Sequence, residues 1–346
     1  MKSALLVAAC VAACLTGAAA AQDSVGDLRV LVIRATWGPT VDNEPTLADA
    51  ASFYDRASFG QLRLHIDITP WLHAYEAAIC PSDGEAAKSA ARTAGYDVSS
   101  YARVVYVLPE EACDFRGVMR GNEILLTAAQ SLVHELGHTF GLDHATANQD
   151  EYGDPLSPMG HGTVDFSAFE KLKLGWITSV QRADRSRTYV VADIDAPSTA
   201  PQALVVPTNR GEYWFERRGA DPQHVIVRLV PASRTRTFYV AATNRFAVPK
   251  VFSVTSTFAF KWLDRARPSP PRAHGLDNSY ISWRPSFDAG SGIAQYRVTL
   301  DGKLIATTTE LGVALPSLQH GGHRVTVVAV DRAGNRSRPG VVSLNV

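Results

Sequence analysis

An excess of charge of either sign is missing from this 346-residue chain: 34 lysines and arginines face 34 aspartates and glutamates, for a formal net charge of zero. Without a basic excess, nucleic acid is a poor partner. Without a block of like charge, attraction to a membrane surface has no support. Long apolar runs are absent as well. Beyond the N-terminus no stretch reaches the roughly 18 apolar residues of a spanning helix. No repeat of fixed period is visible. A G-x-S-x-G elbow is lacking, so a serine hydrolase has no local support. A G-x-x-x-x-G-K-[ST] loop is lacking too, which argues against nucleotide hydrolysis.

Cysteine is scarce, and half of it sits in an address segment. Lys2 is the only charge before Asp23, Ala4–Leu15 is apolar apart from Cys10 and Cys14, and the small residues Ala18–Ala21 follow. This is the pattern of a secretory signal peptide over residues 1–21, so the protein is expected to be secreted. Periplasmic retention and a lipid anchor at Cys14 are the alternatives. Cys80 and Cys113 then remain, and in an exported protein they are expected to form one disulfide, with free thiols as the alternative. A bridge closing so long a loop stabilises by about 3–4 kcal/mol if unstrained.

What is present describes a folded protein of two or three domains: 46% hydrophobic and 20% charged residues. Leu28–Ala35 (LRVLVIRA) reads as a buried strand. Pro45–Gly60 has helical spacing, closed by Gly60. Leu62–Ile68 alternates as a strand does. Gly84–Gly95 reads as a helix, Tyr101–Leu108 and Glu123–Thr127 as strands, and Ala128–Leu142 as a helix. Alternating strands and helices indicate an α/β domain over residues 22–182. Residues 183–264 hold short strand-like runs such as ALVVP, EYWFERR and HVIVRLV, as in a β-sandwich. A proline-rich linker is expected over 265–275, then a second all-β domain over 276–346. The expected class is α+β and multidomain, with two sandwich domains after the α/β domain.

The chemistry lies in Ala128–Ala145, AAQSLVHELGHTFGLDHA. On a helix, His134 and His138 share one face, one turn apart, and can bind one ion. Glu135 stands beside that ion without ligating it, where a carboxylate can take a proton from activated water. Gly141 permits a positive φ, so the helix can end and turn back. His144 then arrives as third ligand. Three nitrogen ligands leave a fourth position open, which is the catalytic arrangement for zinc rather than the structural one. Six other histidines, His65, His73, His224, His274, His320 and His323, are scattered and read as surface or packed residues.

HExxHxxGxxH followed by a methionine-containing turn, here Met159 in EYGDPLSPMG, resembles the metzincin zinc peptidases. HELGHTFGLDHA, YGDPLSPMG and FSAFEKLKLGWI are most similar to the gametolysin family, as are EYWFERR and VIVRLV further on. The resemblance spans about Leu28–Thr257. It implies one catalytic Zn2+ ion, a floor of Met159 beneath the histidines, and broad peptidase activity, often on structural glycoproteins. Protein or glycoprotein substrates and a monomeric chain are expected. Calcium has no motif here and is left open. Many metzincins carry a tyrosine two residues after the turn methionine; His161 stands there instead and reads mainly as a solvated turn residue. Tyr152 and Asp154 are expected to shape the turn. A cysteine switch and a long propeptide are not expected. Ser282-Trp283, Gln295–Val298 and Val325–Asn335 resemble a fibronectin type III or related immunoglobulin-like domain. A non-enzymatic adhesion or binding protein with a vestigial metal site is the rival reading, against which the intact Glu135 argues.

Overall fold

The structure is a computed structural model that describes residues 23–38, 40, 43–74, 84–109, 113–232 and 236–346. The expected signal segment and Cys80 lie outside the described residues. The chain forms two compact units: Met1–Asp143 with Val164–Phe166 and Glu170–Trp176, and His144–Thr163 with Ser167–Phe169 and Ile177–Val346.

The first unit is built on a sheet in which β1, Gly26–Thr36, is an interior strand. From Val30 to Thr36 every residue of β1 is buried. A strand covered on both faces carries a continuous apolar run instead of alternation, which is why LRVLVIRA lacks a period of two. β1 pairs in parallel with β2, Leu62–Ile68, and with a short β3, Leu72–His73, on one side. On the other side it pairs in parallel with β4, Arg103–Val107. β6, Glu123–Leu126, adds in parallel to β4, and β5, Gly117–Arg120, closes that edge antiparallel to β6. The helix α1, Glu44–Ala57, buries Leu47, Ala50, Phe53, Tyr54 and Ala57, a stripe at helical spacing. Helix α2 spans Glu85–Thr93.

The helix expected over 128–142 is shorter than its pattern suggests. A 3-10 turn, Ala129–Ser131, leads into α3, Leu132–Thr139. The shortening at its C-terminal end has a clear cause. Gly141 sits at φ 84°. The Gly141 amide donates to the His138 carbonyl and the Leu142 amide to the Gly137 carbonyl, at 2.9 and 3.1 Å. These two bonds form a Schellman cap, which satisfies terminal carbonyls and stops the helix. The Tyr54 hydroxyl donates to the Val133 carbonyl at 2.7 Å and fixes α3 against α1. The Phe140, Phe166 and Trp176 rings pack around Tyr54. Helix α4, Ala168–Lys173, lies within FSAFEKLKLGWI.

The second unit is β throughout apart from residues of α4. One six-stranded sheet has the spatial order Ala145–Thr146, Thr237–Thr243, Val225–Pro231, Gly211–Glu216, Leu204–Thr208, Gln181–Arg182. A four-stranded sheet runs Arg245–Val248, Phe252–Thr255, Ala259–Trp262, Arg187–Thr188. Phe215, Val227, Phe252 and Phe260 belong to their common core. The strand directly after His144 therefore enters this sheet, parallel to Thr237–Thr243.

Two further sheets complete the unit. Three strands, Arg272–Asp277, Tyr280–Arg284 and Gly312–Ala314, form one; Lys303–Thr308, Ile293–Leu300, Gly322–Asp331 and Gly340–Asn345 form the other. Trp283, Tyr296, Val298 and Val327 lie in the core they share. The expected linker, 265–275, is only partly a linker. Its last residues belong to the strand Arg272–Asp277, where Arg272 pairs with Arg284. Pro271 is the last proline of that stretch, so every amide beyond it is free to join a ladder.

Candidate metal centre

His134 and His138 both project from α3, and their Nε2 atoms face each other at 3.0 Å. Two nitrogens on one tetrahedral zinc ion stand about 3.3 Å apart, so the pair already has nearly the spacing one ion requires. The Nδ1–H of His138 donates to the Leu142 carbonyl at 2.9 Å. That bond sets Nδ1 as the protonated nitrogen and turns Nε2 toward His134, the usual outer-shell device for a metal-binding imidazole. The Leu142 carbonyl is in place because the glycine cap folds the chain back there.

His144 follows two residues later. Its Nδ1 pairs with Oε1 of Glu151 at 2.8 Å, so the ring is held through Nδ1 as that of His138 is. One ring nitrogen from each of His134, His138 and His144 lies within 4.8 Å of the others. The donor set is three imidazoles with no cysteine or carboxylate, which suits zinc. The three predicted ligands are therefore brought together. Glu151 was not singled out by the sequence; its signal is a carboxylate on the turn that follows the third histidine. It also lies 3.5 Å from Arg236, and the Tyr152 ring packs on His144 with centroids 4.3 Å apart.

Glu135 is buried on α3. Its neighbour is Gly117 of β5. A Cβ built on Gly117 would meet the Glu135 carboxylate Oε1 at 2.6 Å, so the absence of a side chain there makes room for Glu135. Sequence reasoning missed Gly117, because nothing local marks which strand faces the helix. Burial pushes the Glu135 carboxyl up to about 7. A group titrating near neutrality can both accept and release a proton at working pH.

Met159 is fully buried. Its carbonyl accepts the Ala145 amide at 2.8 Å, which ties the turn to the residue after His144. Asp154 organises that turn, as expected. Its Oδ1 accepts the amides of Leu156 and Ser157 at 2.9 and 3.1 Å. Arg228 Nε donates to Asp154 Oδ2 at 2.7 Å, and Arg228 Nη1 to Glu216 Oε1 at 2.6 Å. All three side chains are buried. Arg228, a single cation within VIVRLV, is the residue here that sequence reasoning passed over. Burial would raise the Asp154 carboxyl, but the Arg228 guanidinium and the two amides hold it below the usual carboxylate range. His161 is exposed and pairs with Asp150 Oδ2 at 3.1 Å; it is not in the histidine cluster.

No curated protein matches the chain. Three solved structures show partial likeness. Archaemetzincin from Methanopyrus kandleri is 17% identical, with 43% of this chain and 94% of that chain covered and a TM-score of 0.28. Wild-type OgpA from Akkermansia muciniphila is 12% identical, with 92% of each chain covered and a TM-score of 0.28. The fibronectin(III)-like modules of CbhA from Clostridium thermocellum are 22% identical, with 24% of this chain and 91% of that chain covered and a TM-score of 0.17. Likeness at these scores carries no weight for the fold. The family model is a different matter: that of the gametolysin peptidases, M11, matches residues 14–213, more than half of the 346 residues, and the chain belongs to this metallopeptidase family.

Proposed function

We propose that the chain is a secreted zinc-dependent endopeptidase in which His134, His138 and His144 hold the ion and Glu135 carries the proton. The observation that carries this reading is the state of the histidines. His138 and His144 each spend Nδ1 on a fixed acceptor, while the Nε2 atoms of His134 and His138 face one another. Bound zinc would supply Lewis-acid chemistry, activating water at neutral pH and polarising the scissile carbonyl. Glu135 accepts a proton from the attacking water and delivers it to the leaving amine. Gly117 keeps the space that Glu135 occupies. β5 is the edge strand of its sheet, and an extended peptide adding to that edge would run past Glu135.

The finer layout belongs to the same reading. Residues 1–21 act as the export signal, and 22–182 form the catalytic domain with Met159 as its turn methionine. Residues 183–264 form a β-sandwich, and the C-terminal module is of fibronectin type III kind. The protein acts as a monomer. A Cys80–Cys113 bridge is part of the proposal, supported by Cys113 being disulfide-bonded and by Cys80 being the remaining cysteine beyond Cys14.

The test is degradation of a mixed protein substrate with and without a zinc chelator, beside Glu135→Ala. Wild type should degrade it, chelator should stop it, and Glu135→Ala should keep its zinc while losing at least about 100-fold in rate. Full activity in Glu135→Ala would remove the proton role. A zinc-loaded wild type that cleaves nothing would favour the adhesion reading.

A further inference from the structure

Far along the chain from the histidines, three aspartates from different loops meet. Asp264 follows the strand Ala259–Trp262, Asp288 opens the turn before Ile293–Leu300, and Asp331 ends Gly322–Asp331. One carboxylate oxygen from each lies within 4.8 Å of the others. They are 7%, 4% and 2% exposed. Three like charges at that depth repel one another in a poorly screened setting. Among the described residues no lysine or arginine forms an ion pair with any of them. Arg332, which feels the Asp288 charge, donates its Nη1 to the Ser291 carbonyl at 3.1 Å.

Main-chain amides hold each carboxylate in place. Asp264 accepts from Ala266 and Ser291 at 2.9 and 2.8 Å. Asp331 accepts the amide and side-chain Nδ2 of Asn335 at 2.7 and 2.8 Å. Asp288 Oδ2 accepts from Gly290 and Gly292 at 3.1 and 2.7 Å. Asp288 Oδ1 has no hydrogen-bond partner although it is buried. A buried carboxylate oxygen held without a donor, beside two other carboxylates, has the chemistry of a cation ligand.

We propose that Asp264, Asp288 and Asp331 form a second metal site, which takes a hard divalent cation of the calcium class and clips the end of Ala259–Trp262 to two turns of the C-terminal module. The donors are all oxygen, which selects against zinc and for calcium. Two oxygens on one Ca2+ ion stand at most about 5 Å apart, so one ion reaches all three carboxylates. Asn335 strengthens the joint, since its Nδ2 also donates to the Asp264 carbonyl at 3.2 Å. The site shares no residue with the histidine cluster and stands whether or not the chain is a peptidase.

The full chain, stripped with chelator and reloaded with one equivalent of Zn2+ to fill the histidines, is titrated with CaCl2 by calorimetry and melted with and without Ca2+. One Ca2+ should bind and raise Tm. Asp288→Asn should bind Ca2+ at least about tenfold more weakly, with a calcium-free Tm no lower than wild type, because the substitution relieves repulsion. Asp331→Asn is the parallel arm should Asp288→Asn fail to fold. No Ca2+ binding by wild type, tighter binding of Mg2+ than of Ca2+, or wild-type affinity in the folded variants would overturn the proposal.

Discussion

Gly141 and Gly117 do more for the candidate metal centre than their size suggests, and each makes a prediction at the scale of a single residue. Gly141 occupies φ 84°, where a Cβ costs roughly 1–2 kcal/mol. Gly141→Ala should lower stability by about that amount in a denaturant titration and speed zinc loss to a chelator, because the cap aims both the Leu142 carbonyl and His144. Gly117→Ala should act differently. Its Cβ displaces Glu135 and no ligand, so zinc content should stay at one equivalent while the rate of protein degradation falls by about tenfold or more. Loss of zinc from Gly117→Ala would show that the strand supports the histidines instead. The sequence made His134, Glu135, His138, Gly141 and His144 legible because they sit on one local segment with fixed spacing. Glu151, Gly117 and Arg228 were not legible, since their roles depend on which strand or turn comes opposite.

At the scale of elements, the turn holding Met159 hangs on one buried cluster of charges. Removing one partner of a buried ion pair strands the other, at a cost of about 3–5 kcal/mol. Arg228→Met should therefore destabilise by about that much in urea at pH 7. Asp154 adds a pH dependence of known sign. Its folded pKa is depressed, so its stabilisation is complete above the unfolded value of about 3.9 and is lost as pH falls through the lower folded value. Wild type should lose stability on that acid limb, and Asp154→Asn, already weakened at pH 7, should show a flatter limb in denaturation midpoints. The strand Leu62–Ile68 matched its alternation to the residue, because one of its faces is buried and the other wet. Gly117–Arg120 escaped notice because it is short and only half-buried at a sheet edge, where no pattern is imposed.

At the scale of the whole molecule, texture separated the apolar α/β region from the β regions, but not where contacts divide the chain. His144–Thr163 belongs to the second compact unit, since Ala145–Thr146 joins a strand formed far later in the chain. Such pairing is non-local and leaves no trace in composition. The C-terminal module has a core of its own around Trp283. Residues 267–346 expressed alone should fold cooperatively, read by a single melting transition and by the fluorescence of a shielded Trp283. A non-cooperative melt would show that this module needs the strands before it.

The placement of β1 has a consequence for how the protein comes into being. The first strand of the described chain lies in the interior of its sheet, and its neighbour β4 comes after both α1 and α2 in the sequence. Synthesis delivers Leu28–Thr36 long before that neighbour exists. Until β4 emerges, a run of leucine, valine and isoleucine has an unpaired edge and no cover. Recovery on dilution from denaturant should therefore fall steeply as protein concentration rises.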